Sequence, residues 1–176
     1  SICLDHHITN RGYCEENVVL PDASSTCEVV YGFLEKDKIS TAAAACIYTG
    51  IIHDTNVFKN SNTTAKTMEA AGDMMSRGIP FSRIIDESFY RKTYVQNQIL
   101  GRALLESVTF REGKCIFSVV RRKDMEFYGV ESSDLDGIVD QMRVTEGVEV
   151  AIFLHEMENH VYKVSMRSNN YVDVSK

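Results

Sequence analysis

The hydrophobic pattern of the chain changes near Glu106, and this change decides what the chain can fold into. Before Glu106, apolar residues recur mostly at the three- and four-residue spacing that is typical of helices. After it, short β-rich runs alternate with turn signals such as Glu112-Gly113-Lys114. The sequence therefore predicts an α/β chain of two lobes, with a helix-rich first lobe and a β-hairpin-rich second lobe.

The first lobe is predicted to open with a strand and to continue with helices. Residues 1–5 are apolar and run into polar residues, as expected for an inner strand of a parallel sheet. Helix N-caps are predicted at Asp22, at Ser40 or Thr41, and near residues 62–64. The helix that follows residues 62–64 is expected to turn four side chains inward: Met68, Ala71, Met74 and Met75.

No turn signal follows Pro80 for some 25 residues, so one long helix is predicted over residues 81–106. The predicted boundaries are residues 1–85 for the first lobe, 86–106 for a helical linker and 107–176 for the second lobe. Within the second lobe we expect a β-hairpin, a helix and a second strand pair, at 107–111 with 115–121, at 133–143, and at 148–154 with 160–166.

The string Asp5-His6-His7 stands where the first predicted strand stops. Ligands of open α/β sheets bind beyond the carboxyl ends of the strands. Neutral imidazole is a good ligand for manganese, iron or zinc, and a neighbouring carboxylate can orient the ring or ligate directly. Adjacent residues on an extended backbone point in opposite directions, so we expect the two histidines to have different roles. By itself, this short string fits a solvated strand end better.

A second polar feature closes the apolar helical stretch that contains Gly50. A glycine inside a helix costs about 1 kcal/mol relative to alanine, so Gly50 is expected to admit another backbone, for which the strand ending at His6 is the candidate. Asp54 follows at the polar end of the same stretch, where a carboxylate could complete a metal site. Taken alone, Asp54 fits an ordinary solvated helix end.

Composition limits the classes of partner and of site. The formal net charge is −6, so the chain gains nothing from nonspecific attraction to long nucleic acids, and a nucleotide would be held locally. The five cysteines are odd in number and have no CxxC spacing, which argues against a zinc site and favours reduced thiols in the cytoplasm. No signal-peptide pattern occurs, and no apolar stretch is long enough to span a bilayer, so we expect no membrane contact.

Several motifs together are more specific than any one of them. In order and spacing they resemble the DHH superfamily of phosphoesterases, over essentially the whole chain, and the second lobe resembles the DHH-associated domain of nanoRNases that also hydrolyse 3′-phosphoadenosine 5′-phosphate (pAp). The segments that carry the resemblance are Asp5-His6-His7, 23–28, Thr49-Gly50-Ile51 with Asp54-Thr55, Phe58, Thr63-Thr64, 134–139, 147–153 and 164–168.

The resemblance implies a role for each site residue. His6 and Asp54 match metal ligands of the family, His7 matches a position that contacts phosphate, and Asp5 would support the histidines. Arg167 and Ser168 match a substrate-binding strand. The implied cofactor is a pair of Mn²⁺ ions, with Mg²⁺ or Co²⁺ as alternatives. The implied substrates are short single-stranded oligoribonucleotides and pAp, and a homodimer is also expected.

Some motifs of the family do not occur in these 176 residues: the earlier histidine and aspartate segments and the later GGGH segment. We therefore expect the remnant of a parallel-sheet DHH domain, joined by the helical linker to a smaller mixed α/β domain, with little phosphoesterase activity of its own. The alternatives are a cyclic-dinucleotide phosphodiesterase, a RecJ-like exonuclease, an inorganic pyrophosphatase, or a noncatalytic nucleotide-binding fragment.

Overall fold

The structure is a computed structural model that describes residues 1–158 and 160–174. The chain divides into two compact units, Ser1–Arg91 and Lys92–Lys176, each with its own hydrophobic core. The first unit contains a two-stranded sheet and the second a four-stranded sheet, with helices in both. The predicted α/β class is confirmed.

The first unit begins with strand β1 (Ile2–Asp5), which pairs in parallel with β2 (Glu16–Val19). Helices α1 (Thr26–Phe33), α2 (Thr41–Asp54), α3 (Ala65–Ser76) and α4 (Phe81–Ile85) follow. The N-caps predicted at Ser40 and near residues 62–64 are confirmed, the latter at Thr64. The cap predicted at Asp22 is wrong, because the Ser25 hydroxyl accepts the Glu28 N–H and begins α1 three residues later.

Small and apolar residues of α2 and α3 build the core of the first unit. Ile51 and Ile52 of α2 and Met74 of α3 are fully buried. The inward placement predicted for Met68 and Met75 is wrong, since their side chains are 52% and 37% exposed. The buried stripe of α3 runs instead through Ala70, Ala71 and Met74, whose two alanines let the helices approach closely.

The long helix predicted over residues 81–106 is broken into pieces. A π-helical turn, Asp86–Tyr90, follows α4, and helix α5 (Tyr94–Leu105) starts only after residues 91–93. Thr93 and Gln96 form a capping box that begins α5, a signal which the sequence contains and which our prediction missed. Because Ile99 and Ala103 are buried in the core of the second unit, α5 belongs to that unit.

The sheet of the second unit has the strand order β3-β4-β5-β6. Strand β3 (Val108–Phe110) pairs antiparallel with β4 (Cys115–Val120), β4 pairs parallel with β5 (Val150–Glu158), and β5 pairs antiparallel with β6 (Val161–Ser168). Both predicted strand pairs are confirmed.

The crossover from β4 to β5 carries helix α6 (Arg122–Tyr128), a 3₁₀ turn (Ser132–Leu135) and helix α7 (Ile138–Arg143). The helix predicted over 133–143 is interrupted at Gly137, which adopts φ +88°. The left-handed backbone at this glycine, the N-cap of α7, separates the helix from the preceding 3₁₀ turn. Among the described residues, no helix has the length and apolar character needed to cross a membrane.

Candidate active site

His6 and Asp54 come together although they lie far apart along the chain. His6 follows the last residue of β1, and Asp54 is the last residue of α2. The His6 Nε2 atom lies 3.5 Å from the Asp54 Oδ2 atom. The imidazole is largely buried, and the carboxylate is about half exposed. An imidazole nitrogen and a carboxylate oxygen are therefore presented side by side at the surface of the first unit.

The backbone of Ala23 sets the orientation of the His6 ring. His6 Nδ1 lies 3.2 Å from the Ala23 carbonyl oxygen. Because a carbonyl oxygen only accepts hydrogen bonds, Nδ1 must carry the proton in this contact. In the neutral ring Nε2 then presents its lone pair towards Asp54, which is the tautomer that a metal-ligating histidine needs.

The Asp5 carboxylate accepts several hydrogen bonds that stabilise the turn after β1. Its Oδ1 accepts the backbone N–H groups of His6 and His7 and the His7 Nδ1–H, and its Oδ2 accepts the Asn10 side-chain amide at 2.7 Å. The bonds from Asn10 and then from His7 hold the pKa of this carboxyl well below its ordinary value. Asp5 is thus an anion that positions both histidines. Asn10 was not predicted, although an asparagine in a turn beside a strand end is a usable signal.

The two histidine rings lie next to each other, with centroids 4.4 Å apart and planes inclined by 59°. The expectation that they point in opposite directions is wrong, because β1 ends at Asp5 and strand alternation no longer applies at residues 6 and 7. Asp5 accepts the His7 Nδ1–H at 2.7 Å, which leaves Nε2 as the second polar atom of this exposed ring.

A close contact between α1 and α2 sets the position of the helix that ends in Asp54. A Cβ added to Gly50 would lie 2.1 Å from the Cys27 Sγ atom and 2.9 Å from its Cβ. Gly50 therefore admits Cys27 of α1, and the expectation that it admits the strand ending at His6 is wrong. The contact still serves the site, because α1 follows directly on the loop that contains Ala23.

Asn62 ties the two backbone segments of the site together. Its amide donates to the Ser24 carbonyl oxygen at 2.9 Å and, with a longer contact of 3.4 Å, to the Asp54 carbonyl oxygen. Ser24 is fully buried, and its hydroxyl and N–H both donate to the Glu28 carboxylate, which also accepts the Thr67 hydroxyl. The loop that orients His6 is thereby fixed to α1, to α3 and to the end of α2.

The segment after Asp54 has an unusual backbone. Asn56, Val57 and Phe58 have φ values of 52°, 53° and 64°, a left-handed conformation that is strained for a β-branched valine. Buried Thr55 holds this turn, because its hydroxyl donates to the Ile51 carbonyl and accepts the Phe58 N–H. Such strain persists only where the surroundings hold the backbone in place, as they do here beside Asp54.

The pair of His6 and Asp54 fits a divalent cation. Two atoms that each lie about 2.1 Å from one ion are roughly 3 to 3.5 Å apart, and the separation observed here is 3.5 Å. A nitrogen and a carboxylate oxygen suit manganese and its neighbours in the first transition row. Within residues 1–158 and 160–174, no cluster of three or more histidine, cysteine or acidic side chains suited to a metal is present.

The predicted substrate residues lie in the second unit. Arg167 and Ser168 are the last two residues of β6, opposite Ala151 and Val150 of β5. The Arg167 guanidinium is 54% exposed, and its Nε lies 3.5 Å from the Asp140 Oδ1 atom. The structure thus brings Asp5, His6, His7 and Asp54 together in the first unit, and it places Arg167 and Ser168 side by side in the second. The roles of these six residues stay predictions.

Glu149 holds the chain that follows β6. This buried carboxylate accepts hydrogen bonds from the backbone N–H groups of Asn170, Tyr171 and Val172 and from the Asn170 side chain. Burial raises the pKa of Glu149, but these bonds outweigh burial and lower its pKa to about 2. Sequence reasoning missed this residue, since a glutamate before a strand has no distinctive pattern.

The comparisons with known proteins come from sequences and from solved structures. No family model matches the chain. It is 30% identical to the bifunctional oligoribonuclease and PAP phosphatase NrnA of Thermus thermophilus, over 97% of the chain and 51% of that protein. It is 27% identical to the protein of the same name from Bacillus subtilis, over 96% of the chain and 55% of that protein.

A crystal structure of an exopolyphosphatase-related protein from Bacteroides fragilis has the same fold, with a TM-score of 0.89 at 22% identity, over 96% of this chain and 51% of that one. The chain therefore spans about half the length of the relatives that it matches. Over nearly its whole length it is similar to the bifunctional oligoribonucleases and PAP phosphatases, and the resemblance to the DHH superfamily that the motifs predict is confirmed.

Proposed function

We propose that this chain is part of a metal-dependent phosphoesterase that hydrolyses short oligoribonucleotides and pAp to mononucleotides. The observation that carries the proposal is the 3.5 Å approach of His6 Nε2 to Asp54 Oδ2, with Nδ1 engaged by the Ala23 carbonyl. The names of the similar proteins from Thermus thermophilus and Bacillus subtilis support the substrate class.

Each unit has its own part in the proposed reaction. His6 and Asp54 would hold a divalent ion, for which Mn²⁺ is the first candidate and Mg²⁺ or Co²⁺ are alternatives. When bound, such an ion supplies Lewis acidity and a water of lowered pKa. With Nδ1–H held by Asp5, His7 can donate a hydrogen bond from Nε2 to a phosphoryl oxygen only as an imidazolium, in which both ring nitrogens carry a proton. Arg167 and Ser168 would bind the nucleotide, since a guanidinium grips a phosphate through two hydrogen bonds.

Mn²⁺ titration of the 176-residue chain, followed by electron paramagnetic resonance of free Mn²⁺, tests the metal site. We expect weak binding that His6→Ala and Asp54→Ala both abolish, because each removes one of the two proposed ligands. His53→Ala is the matched control, since His53 lies in the same helix but contacts Ser88 at 3.2 Å. Binding that survives the loss of His6 would contradict the proposal.

Hydrolysis of pAp tests the reaction itself. With two protein ligands, we expect the chain alone to show little turnover with Mn²⁺, and the same substitutions to abolish turnover in a protein that carries the remaining motifs of the family. Nucleotide binding without turnover in that longer protein would favour a noncatalytic nucleotide-binding module. Preference for a cyclic dinucleotide or for single-stranded DNA would favour the two other candidate activities. Dimerisation and a cytoplasmic location stay predictions.

A further inference from the structure

Two arginines flank a single carboxylate at the edge of the second unit. Arg143, at the end of α7, has its Nε 3.9 Å from the Asp140 Oδ1 atom, and Arg167 of β6 has its Nε 3.5 Å from the same oxygen. Two guanidiniums and one carboxylate leave a local charge of +1 in a chain whose formal net charge is −6. We refer to these three residues as the Asp140 cluster.

The surrounding backbone holds Arg143 firmly. Its Nη1 donates to the Asn169 Oδ1 atom at 3.1 Å, and the Asn169 amide donates in return to the carbonyl oxygens of Arg143 and Val148. The Asn169 N–H is itself bonded to the Glu149 carbonyl. The Arg143 side chain is only 24% exposed, so most of the entropy of ordering it has already been lost in the folded chain.

Asp140 leaves the Nε donors of the two arginines poorly satisfied, whereas the Nη1 atom of Arg143 already donates to Asn169 and that of Arg167 to the Met166 carbonyl oxygen. Its separations of 3.5 and 3.9 Å from the two Nε atoms are longer than good charge-assisted hydrogen bonds, which are about 2.7 to 2.9 Å. The Arg143 Nε atom is buried and has no hydrogen-bond partner among residues 1–158 and 160–174, so a ligand would reach this guanidinium through its Nη atoms. A tetrahedral dianion has several oxygens that can accept from both guanidiniums, whereas the shared Asp140 oxygen makes no short bond to either Nε atom at the observed distances.

We propose that Arg143 is a second phosphate-binding residue, which acts with Arg167 to receive a phosphate monoester of a nucleotide. The choice of a nucleotide rests on the proposed function, whereas the affinity for a phosphate dianion rests on the cluster alone. Asp140 competes with the ligand, since it is a negative charge placed between the two guanidiniums. No motif in the sequence suggested a role for Arg143. The substrate-binding role predicted from the motifs concerns Arg167 and not Arg143.

Calorimetric titration of the whole chain with pAp in EDTA tests this proposal, because the chelator removes any contribution from metal. We expect Arg143→Gln to weaken pAp binding by about tenfold, as expected for one lost hydrogen bond to a charged group. Arg143→Lys should restore part of the affinity, since it keeps the charge but not the planar fork. Asp140→Asn should tighten binding several-fold and steepen its dependence on salt.

Controls separate the phosphate from the rest of the ligand and from folding. Arg122→Gln is the matched control, because Arg122 also pairs with a helical carboxylate, Glu126, but contacts the opposite end of β5 at Met157. It should leave pAp binding unchanged. The variants should have the same order of affinity for inorganic phosphate as for pAp, whereas their affinities for adenosine should not differ. Urea unfolding of each variant verifies that it is folded.

The outcomes distinguish this proposal from the proposed function. Unchanged pAp affinity in Arg143→Gln, weaker binding in Asp140→Asn, or no binding by the unaltered chain would overturn the role of Arg143. In a longer protein that carries the remaining motifs of the family, hydrolysis of pAp with an unaltered KM in Arg143→Gln would overturn the role of Arg143 as well, yet would leave the phosphoesterase function standing. If pAp binding is retained and depends on Arg143 but the longer protein does not hydrolyse pAp, the role of Arg143 stands and the phosphoesterase function is overturned.

Discussion

The Asn62 side-chain amide donates a hydrogen bond of 2.9 Å to the carbonyl oxygen of Ser24, directly after the residue whose carbonyl orients His6. Outer contacts of this kind typically change metal affinity by 10- to 100-fold when they are removed. We therefore expect Asn62→Ala to weaken Mn²⁺ binding by about tenfold. Asn60→Ala is the control. The Asn60 side chain donates to the Asp54 carbonyl oxygen at 3.2 Å but, unlike Asn62, is not bonded to Ser24, so this variant should have a smaller effect. Equal affinities in both variants would contradict the positioning role of Asn62.

Gly50→Ala should destabilise the first unit. The added Cβ would lie 2.1 Å from the Cys27 Sγ atom, so the two helices must move apart, and overpacking of this kind costs about 1 to 3 kcal/mol of unfolding free energy. Urea denaturation followed by circular dichroism measures the change.

Gly72→Ala should stabilise the first unit, in contrast to Gly50→Ala. Gly72 lies in α3 with no neighbouring atom within 4 Å of an added Cβ, so the variant should gain about 0.5 to 1 kcal/mol from helix propensity. An unchanged Gly50→Ala would mean that close approach at Gly50 does not limit the packing, and a destabilised Gly72→Ala would contradict the open space at Gly72.

Glu149 should make the second unit sensitive to strong acid. Its pKa is about 2 in the folded chain and 4.5 in its ordinary state. The folded chain therefore binds fewer protons than the unfolded chain at pH values between these two. The stability that Glu149 contributes is complete above pH 4.5 and is lost as the pH falls through 2.

Unfolding of Glu149→Gln and of the unaltered chain, compared at pH 7, 4 and 3, measures this contribution. The variant should be less stable at pH 7, and the difference should shrink at lower pH. Backbone amides of Asn170, Tyr171 and Val172 should exchange hydrogen faster in the variant, because they lose their anionic acceptor. A difference that is constant with pH would refute the electrostatic origin.

His155 should destabilise the fold at mildly acidic pH. Its ring is 3% exposed on β5, and neither ring nitrogen has a hydrogen-bond partner among the described residues. Burial and then the charge of Lys163 lower the pKa of His155, and Asp136 opposes them only partly. Below the unfolded pKa of 6.5 the unfolded chain takes up a proton that the folded chain resists, so stability falls as the pH falls.

His155→Leu removes this proton linkage. We expect the unfolding free energy of the variant, relative to the unaltered chain, to rise steadily between pH 7.5 and pH 5. Replacing a buried, unpaired polar group with an apolar one of similar size is nearly neutral or stabilising at neutral pH. Parallel profiles for His155→Leu and the unaltered chain would contradict the prediction.

Local signals in the sequence were sufficient for much of the fold. Ser40 and the 62–64 segment mark helix starts through side-chain caps that act over three residues, and Glu112-Gly113-Lys114 marks a hairpin in the same way. The capping box of Thr93 and Gln96 is an equally local signal. The prediction of one long helix over residues 81–106 was wrong because this signal was overlooked, although the sequence contains it. Side chains that satisfy their own neighbouring backbone do not depend on the rest of the chain.

The sequence by itself determined the α/β class, the strand pairs, the helix starts at Ser40 and Thr64 and the polar residues that the motif resemblance points to. Only the tertiary structure decided that Gly50 admits Cys27, that the rings of His6 and His7 lie side by side, and that Asp140 stands between two arginines. The physical reason is the sequence separation of the residues that interact. Caps and turns depend on residues a few positions apart, whereas these contacts depend on the path of the backbone between distant positions, which packing of the whole unit sets.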